Sequence, residues 1–180
     1  MGALWLVFTW SHGPTSFNEN RLVLGRGMHF WGMLLGVVPN ALVVAGMLGL
    51  RDRLLAGGGT AARVAFNVAI AALVASAAVD LIAGALGPPL LMPFLGAGLV
   101  IVGLAPGVRD RSRQRPDLRR PLLLIGILLL GASAFAWIPL EVSDAFGGYR
   151  IFGAVAHLAV GAAWTVVGLR AARPGAVGAV

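Results

Sequence analysis

Apolar residues fall in long unbroken runs, and the polar stretches between them are short and rich in arginine, glycine and proline. A helix rises about 1.5 Å per residue, so roughly 20 apolar residues cover about 30 Å of hydrocarbon. Five runs reach about that length: 28–50, 64–86, 90–108, 121–140 and 151–169. None alternates with the period of two that a membrane barrel requires. The pattern predicts an all-α integral membrane protein, a bundle of five full transmembrane helices preceded by a short N-terminal apolar segment. Residues 1–27 form that segment and an outside polar loop, 28–173 the bundle, and 174–180 a tail.

The first segment admits two readings, because Gly2 to Trp10 are apolar but too short to cross a bilayer. Either it lies on the outer interface with Trp5 and Trp10 as anchors, or it is the remnant of a truncated sixth helix. Direction follows from the connections, since arginine gathers in short cytoplasmic loops. Arg51, Arg53 and Arg63 join the first two runs, Arg109, Arg111, Arg113, Arg115, Arg119 and Arg120 join the third and fourth, and Arg170 and Arg173 follow the fifth. Only Arg21, Arg26 and Arg150 fall on the other side, so the C-terminus is expected in the cytoplasm.

Composition strengthens this picture. Hydrophobic residues make up 58% of the chain and charged ones 12%, against roughly 45–50% and 25% in soluble domains. All 14 basic residues are arginine, and alanine and glycine abound, a usage suggestive of a GC-rich bacterial genome and hence a bacterial plasma membrane. The net charge of +7 could signal nucleic acid, but these arginines flank apolar runs and lack interleaved stacking aromatics. Anionic headgroups at the Arg109 to Arg120 loop are the expected partners, with no nucleic acid. With no cysteine in the chain, disulfides, thiolate metal sites and a cysteine nucleophile are excluded.

Inside the bilayer a charged side chain near the centre costs roughly 2.5–3.5 kcal/mol on insertion scales, so polar residues there should face protein or water. Asp80 is the one acid within a predicted span. Steps of four place it on a stripe with Val68, Ala72, Ser76 and Gly84; the same step in the last span joins Gly153, His157, Gly161 and Thr165. Small residues let membrane helices approach closely, so Asp80 and His157 are expected to point into the bundle at similar depth and to share a proton or ligand. Asn40 beside Pro39, where the missing amide N–H favours a kink, and Ser133 and Trp137 complete an expected outer-half pocket. On the outside loop, His12 and Glu19 are the candidate acid/base groups.

The sequence carries no HExxH, no GxSxG, no phosphate loop and no metal-ligand spacing. His29 stands too near the surface to pair with His157 around a haem, so no metal and no cofactor is expected. The leading expectation is a small polytopic protein that handles a ligand, ion or proton at Asp80 and His157. A structural or assembly subunit, as a homo-oligomer or within a membrane complex, is the first rival. An enzyme acting on a lipid or isoprenoid is the second, disfavoured by the missing catalytic motifs.

Overall fold

The chain enters its first helix through a turn in which Leu24 and Gly25 both have positive φ, 50° and 72°. A computed structural model describes residues 22, 24–56, 58–83, 91–105, 118–137 and 153–172, with the backbone alone at Met28, Gly32, Ala83, Phe135, Ala136 and Trp137. Among these described residues every helix or strand assignment of any length is helical. Helix α1 (Met28–Gly32) widens into a π-helical segment, π1 (Met33–Val37), and continues as α2 (Val38–Gly49). Pro39 has no N–H to give the Leu35 carbonyl and its ring crowds that oxygen. The widened turn lies immediately before it, where the regular hydrogen-bond ladder is interrupted.

A short helix, α3 (Arg51–Leu55), carries the chain across the end of α2. The Leu54 N–H donates to the Leu50 carbonyl at 2.9 Å and the Gly58 N–H to that of Leu55 at 2.9 Å, closing the turn into α4 (Thr60–Ala83). Then come α5 (Met92–Leu104), α6 (Arg119–Trp137), the second π-helical segment π2 (Val155–Ala159) and α7 (Val160–Ala172). Pro93 sits in the first turn of α5, where a missing N–H leaves no ladder bond unmade.

Packing follows chain order. Helix α4 lies against π1 and α2 on one side and α5 on the other, α5 against α6, and α6 against π2 and α7. Close backbone-to-backbone seams run along α5. A Cβ on Gly98 would stand 2.7 Å from the Ala65 carbonyl oxygen, and one on Gly126 of α6 would stand 2.7 Å from that of Gly96. One apolar cluster ties the elements together, with Met47, Leu54, Phe66, Leu99, Leu122, Ile125 and Val160 all buried. The Arg53 guanidinium donates from Nη1 to the Ala171 carbonyl at 3.4 Å, linking α3 to the last turn of α7.

Three stretches are long and apolar enough to cross a membrane: His29–Gly49, Thr60–Ile82 and Val155–Ala172. The other two expected spans are shorter where described. Met92–Leu104 is an apolar helix of 13 residues, about 20 Å long, and Arg119–Trp137 opens on two arginines, so its apolar part starts at Pro121. The structure thus supports an all-helical membrane protein with three candidate spans.

The buried faces differ in part from stripes drawn in steps of four. Ala72, Ser76 and Asp80 are buried, but Val68 is 40% exposed and the inward positions below are Ala65, Phe66 and Ala69. In the last span Gly153, Val160, Ala163 and Val167 face inward, and Thr165 is exposed. Four residues turn a helix by about 400°, so each step drifts about 40° and three steps leave the face altogether.

Candidate functional site

Asp80 lies near the end of α4, on its inward face, with 4% of its surface exposed. What makes room for it is a glycine. A Cβ built on Gly36 would overlap the Asp80 carboxyl, lying 2.5 Å from Cγ and 2.9 Å from Cβ. The carboxyl therefore rests directly on the backbone of π1, at a turn that does not follow the α-helical ladder. Segments of this kind are frequent at functional sites, since widening leaves backbone groups displaced from their usual partners.

The contact also sets the register of the seam. Because α2 and α4 are joined by a short connection they run antiparallel, so one turn inward along each brings Asn40 and Ser76 to a common level. Asn40 is half-buried. Ser76 is fully buried, and its Oγ has no hydrogen-bond partner among the described residues. A buried hydroxyl left unmatched costs about 1–3 kcal/mol. The seam between the first span and α4 thus holds a carboxyl, a hydroxyl and an amide within about two helical turns.

His157 stands in a second seam. It lies within π2, half-buried, on a segment packed against α6. Ser133, on α6, is 2% exposed and its Oγ likewise has no hydrogen-bond partner among the described residues. The extensive packing of α4 is with π1, α2 and α5, and that of π2 is with α6 and α7. Asp80 with Asn40, and His157 with Ser133, therefore belong to separate pairs of packed elements.

Trp137 ends α6, and its side chain lies outside the described residues, as do His12, Glu19 and the loop from Arg109 to Arg115. Arg119 and Arg120, at the start of α6, are half-buried and exposed respectively. At the N-terminal end of the first candidate span Arg26 lies over the Phe30 ring at 5.2 Å, and Phe30 meets Trp31 edge to face at 5.4 Å. Among the described residues no three histidine or acidic side chains gather as a metal site would need.

Gly36 and Ser76 line the candidate site; the sequence pattern offered Ser76 only as a member of a small-residue stripe and did not single out Gly36. Their signal was indirect: Gly36 precedes Pro39 and Asn40 on one face, and Ser76 precedes Asp80 by one turn. The two π-helical segments had no such signal at π2, which contains no proline. No family model matches the chain, and no curated protein or solved structure resembles it closely enough to carry a family or an activity across.

Proposed function

We propose that this is a small multi-pass membrane protein that takes up and releases a proton or small cation at Asp80, in the seam between its first two spans. The observation that carries the reading is the burial of the Asp80 carboxyl against Gly36 of a π-helical turn, one helical turn from the unmatched hydroxyl of Ser76. A carboxyl held in an apolar bundle requires a proton, a cation or hydrogen-bond donors beside it. Exchange between those states is the simplest chemistry such a group performs, and Ser76 and Asn40 extend a line of polar atoms inward. His157 in the second seam is a further proton-carrying group at the end of the bundle that faces out in this topology.

The same reading includes five crossings, a bacterial plasma membrane, a cytoplasmic C-terminus and anionic headgroups at the arginines from Arg109 to Arg120. The support is the distribution of arginine between the two sets of connections. A second reading, a subunit without chemistry of its own, is favoured by the backbone-to-backbone glycine contacts along α5, which serve packing alone.

The deciding experiment uses the purified full chain in liposomes loaded with a pH-sensitive dye, under a potassium-valinomycin potential, with radioactive sodium uptake in parallel. The expected result is a proton or sodium flux that Asp80→Asn lowers at least about tenfold, while Thr165→Ala, on an exposed face of α7, leaves it unchanged. Absence of both fluxes in the unaltered protein would sink the proposal and leave the subunit reading in its place.

A further inference from the structure

Two buried hydroxyls flank the start of α5, one from each neighbouring helix. Gly98 of α5 lies against Ala65 and Ala69 of α4, and Gly126 of α6 lies against Gly96 and Val100 of α5, so the three helices share one contact layer. Seven residues turn a helix by about 700°, roughly 20° short of two full turns, and advance it by about 10 Å. That step takes Ala69 to Ser76 and Gly126 to Ser133 on the same faces. Gly96 meets Leu130 while Gly103 meets Leu123, so α5 and α6 are antiparallel, and the connection from α4 to α5 is too short to bring the chain back for a parallel pair. On α5 the step therefore runs from Gly98 back to Leu91, the cap residue of the helix. A second layer sets Ser76 and Ser133 on either side of the first turn of α5.

Both hydroxyls are buried, with 0% and 2% of each serine exposed, and neither Oγ has a hydrogen-bond partner among the described residues. A hydroxyl on an apolar helix is ordinarily satisfied by its own backbone, as Thr165 is by the Gly161 carbonyl at 3.0 Å. Ser76 and Ser133 do not turn back in this way. Between them α5 opens without a side-chain cap, because Leu91 has no oxygen to accept its first amides. That end of a helix carries partial positive charge.

We infer that this layer binds a small anion of the halide class, held by the Ser76 and Ser133 hydroxyls at the head of α5. The balance of donors selects an anion over water. A water molecule must place two protons of its own, whereas both hydroxyls and the opening amides of α5 can donate, and an anion takes donors alone. The Asp80 carboxyl lies one helical turn beyond Ser76, and the proton or cation proposed for it removes the like charge there. The anion site uses the α5 face of α4 and stands without that reading.

The test titrates the purified full chain, in maltoside micelles, with radioactive chloride at constant ionic strength in gluconate. Saturable binding is expected. Ser76→Ala and Ser133→Ala should each weaken it roughly 10–150-fold, the equivalent of about 1.5–3 kcal/mol for a hydrogen bond to a charged group. Thr165→Ala, whose hydroxyl is already bonded within its helix, should leave it unchanged. Chloride in place of gluconate should also raise the melting temperature of the unaltered protein and not that of the double serine variant, and equal melting temperatures of the two in gluconate show that the variant folds. Absence of saturable chloride binding in the unaltered chain, or binding indifferent to both serines, would overturn the inference. Asp80→Asn separates the two readings: it should lower the proton or sodium flux and leave chloride binding in place, so that either reading can fail alone.

Discussion

Gly36 is constrained by what lies across the seam, because the space a methyl group would fill is held by the carboxyl of Asp80. Overfilling a packed interior typically costs about 1–3 kcal/mol, and Gly36→Ala should do so here. Asp80→Ala removes the carboxyl and leaves only the Cβ contact at 2.9 Å. The double variant should therefore lose less stability than the two single losses combined, by about 0.5–3 kcal/mol for residues in contact. Denaturant midpoints of the four proteins in one micelle measure this coupling. Strict additivity would mean that the two residues do not touch. That Asp80 faces the bundle was legible from the small residues one and two turns before it. That it rests on Gly36 was not, since no spacing within one helix reports which residue of another lies opposite.

At the level of the helices, the glycines of α5 and α6 include some that meet a neighbouring helix and one, Gly131, that meets nothing. Gly98 of α5 faces Ala65 and Ala69 of α4, while Gly96 and Gly103 face α6, where Gly126 answers Gly96; no atom of another element lies within 4 Å of a Cβ built on Gly46, Gly131 or Gly168. Alanine at Gly126 would push against the Gly96 carbonyl oxygen and Val100 Cγ2, both at 2.7 Å. It should lower the denaturation midpoint by the equivalent of about 1–3 kcal/mol. Alanine at Gly131 should be neutral or raise stability by up to about 1 kcal/mol, since glycine disfavours a helix interior. Equal effects at the two positions would show that α5 and α6 do not approach through their backbones. The sequence displayed the glycines but not this division, which depends on helix rotation. Steps of four residues placed Val68 and Thr165 on the inward faces; the accumulated drift carries both outward. The π-helical turns were equally hidden, since only π1 has a proline close by to account for it.

Across the whole molecule, arginine acts at two scales at once. Arg53 belongs by its place in the sequence to the arginines that join the first two apolar runs, and in the fold it also reaches the Ala171 carbonyl at the end of α7. Helix C-termini leave carbonyls without amide partners and carry partial negative charge, so a guanidinium is well matched to that position. The C-terminal ends of the first and last spans are thereby joined, which requires residues 51–55 and 170–172 to lie on one side of the membrane. Parity along the chain extends the constraint. An even number of crossings must separate Arg53 from position 112 if both are cytoplasmic, and an odd number must separate position 112 from position 147. Single cysteines at Ser112 and Gly147, in a chain with none of its own, test this with a membrane-impermeant maleimide on intact cells and then on inverted vesicles. Gly147→Cys should label only on intact cells and Ser112→Cys only on inverted vesicles. Labelling of both from one side would mean that Arg119–Trp137 does not cross. Three spans would then remain, and α6 would become a helix held at the surface by its two leading arginines.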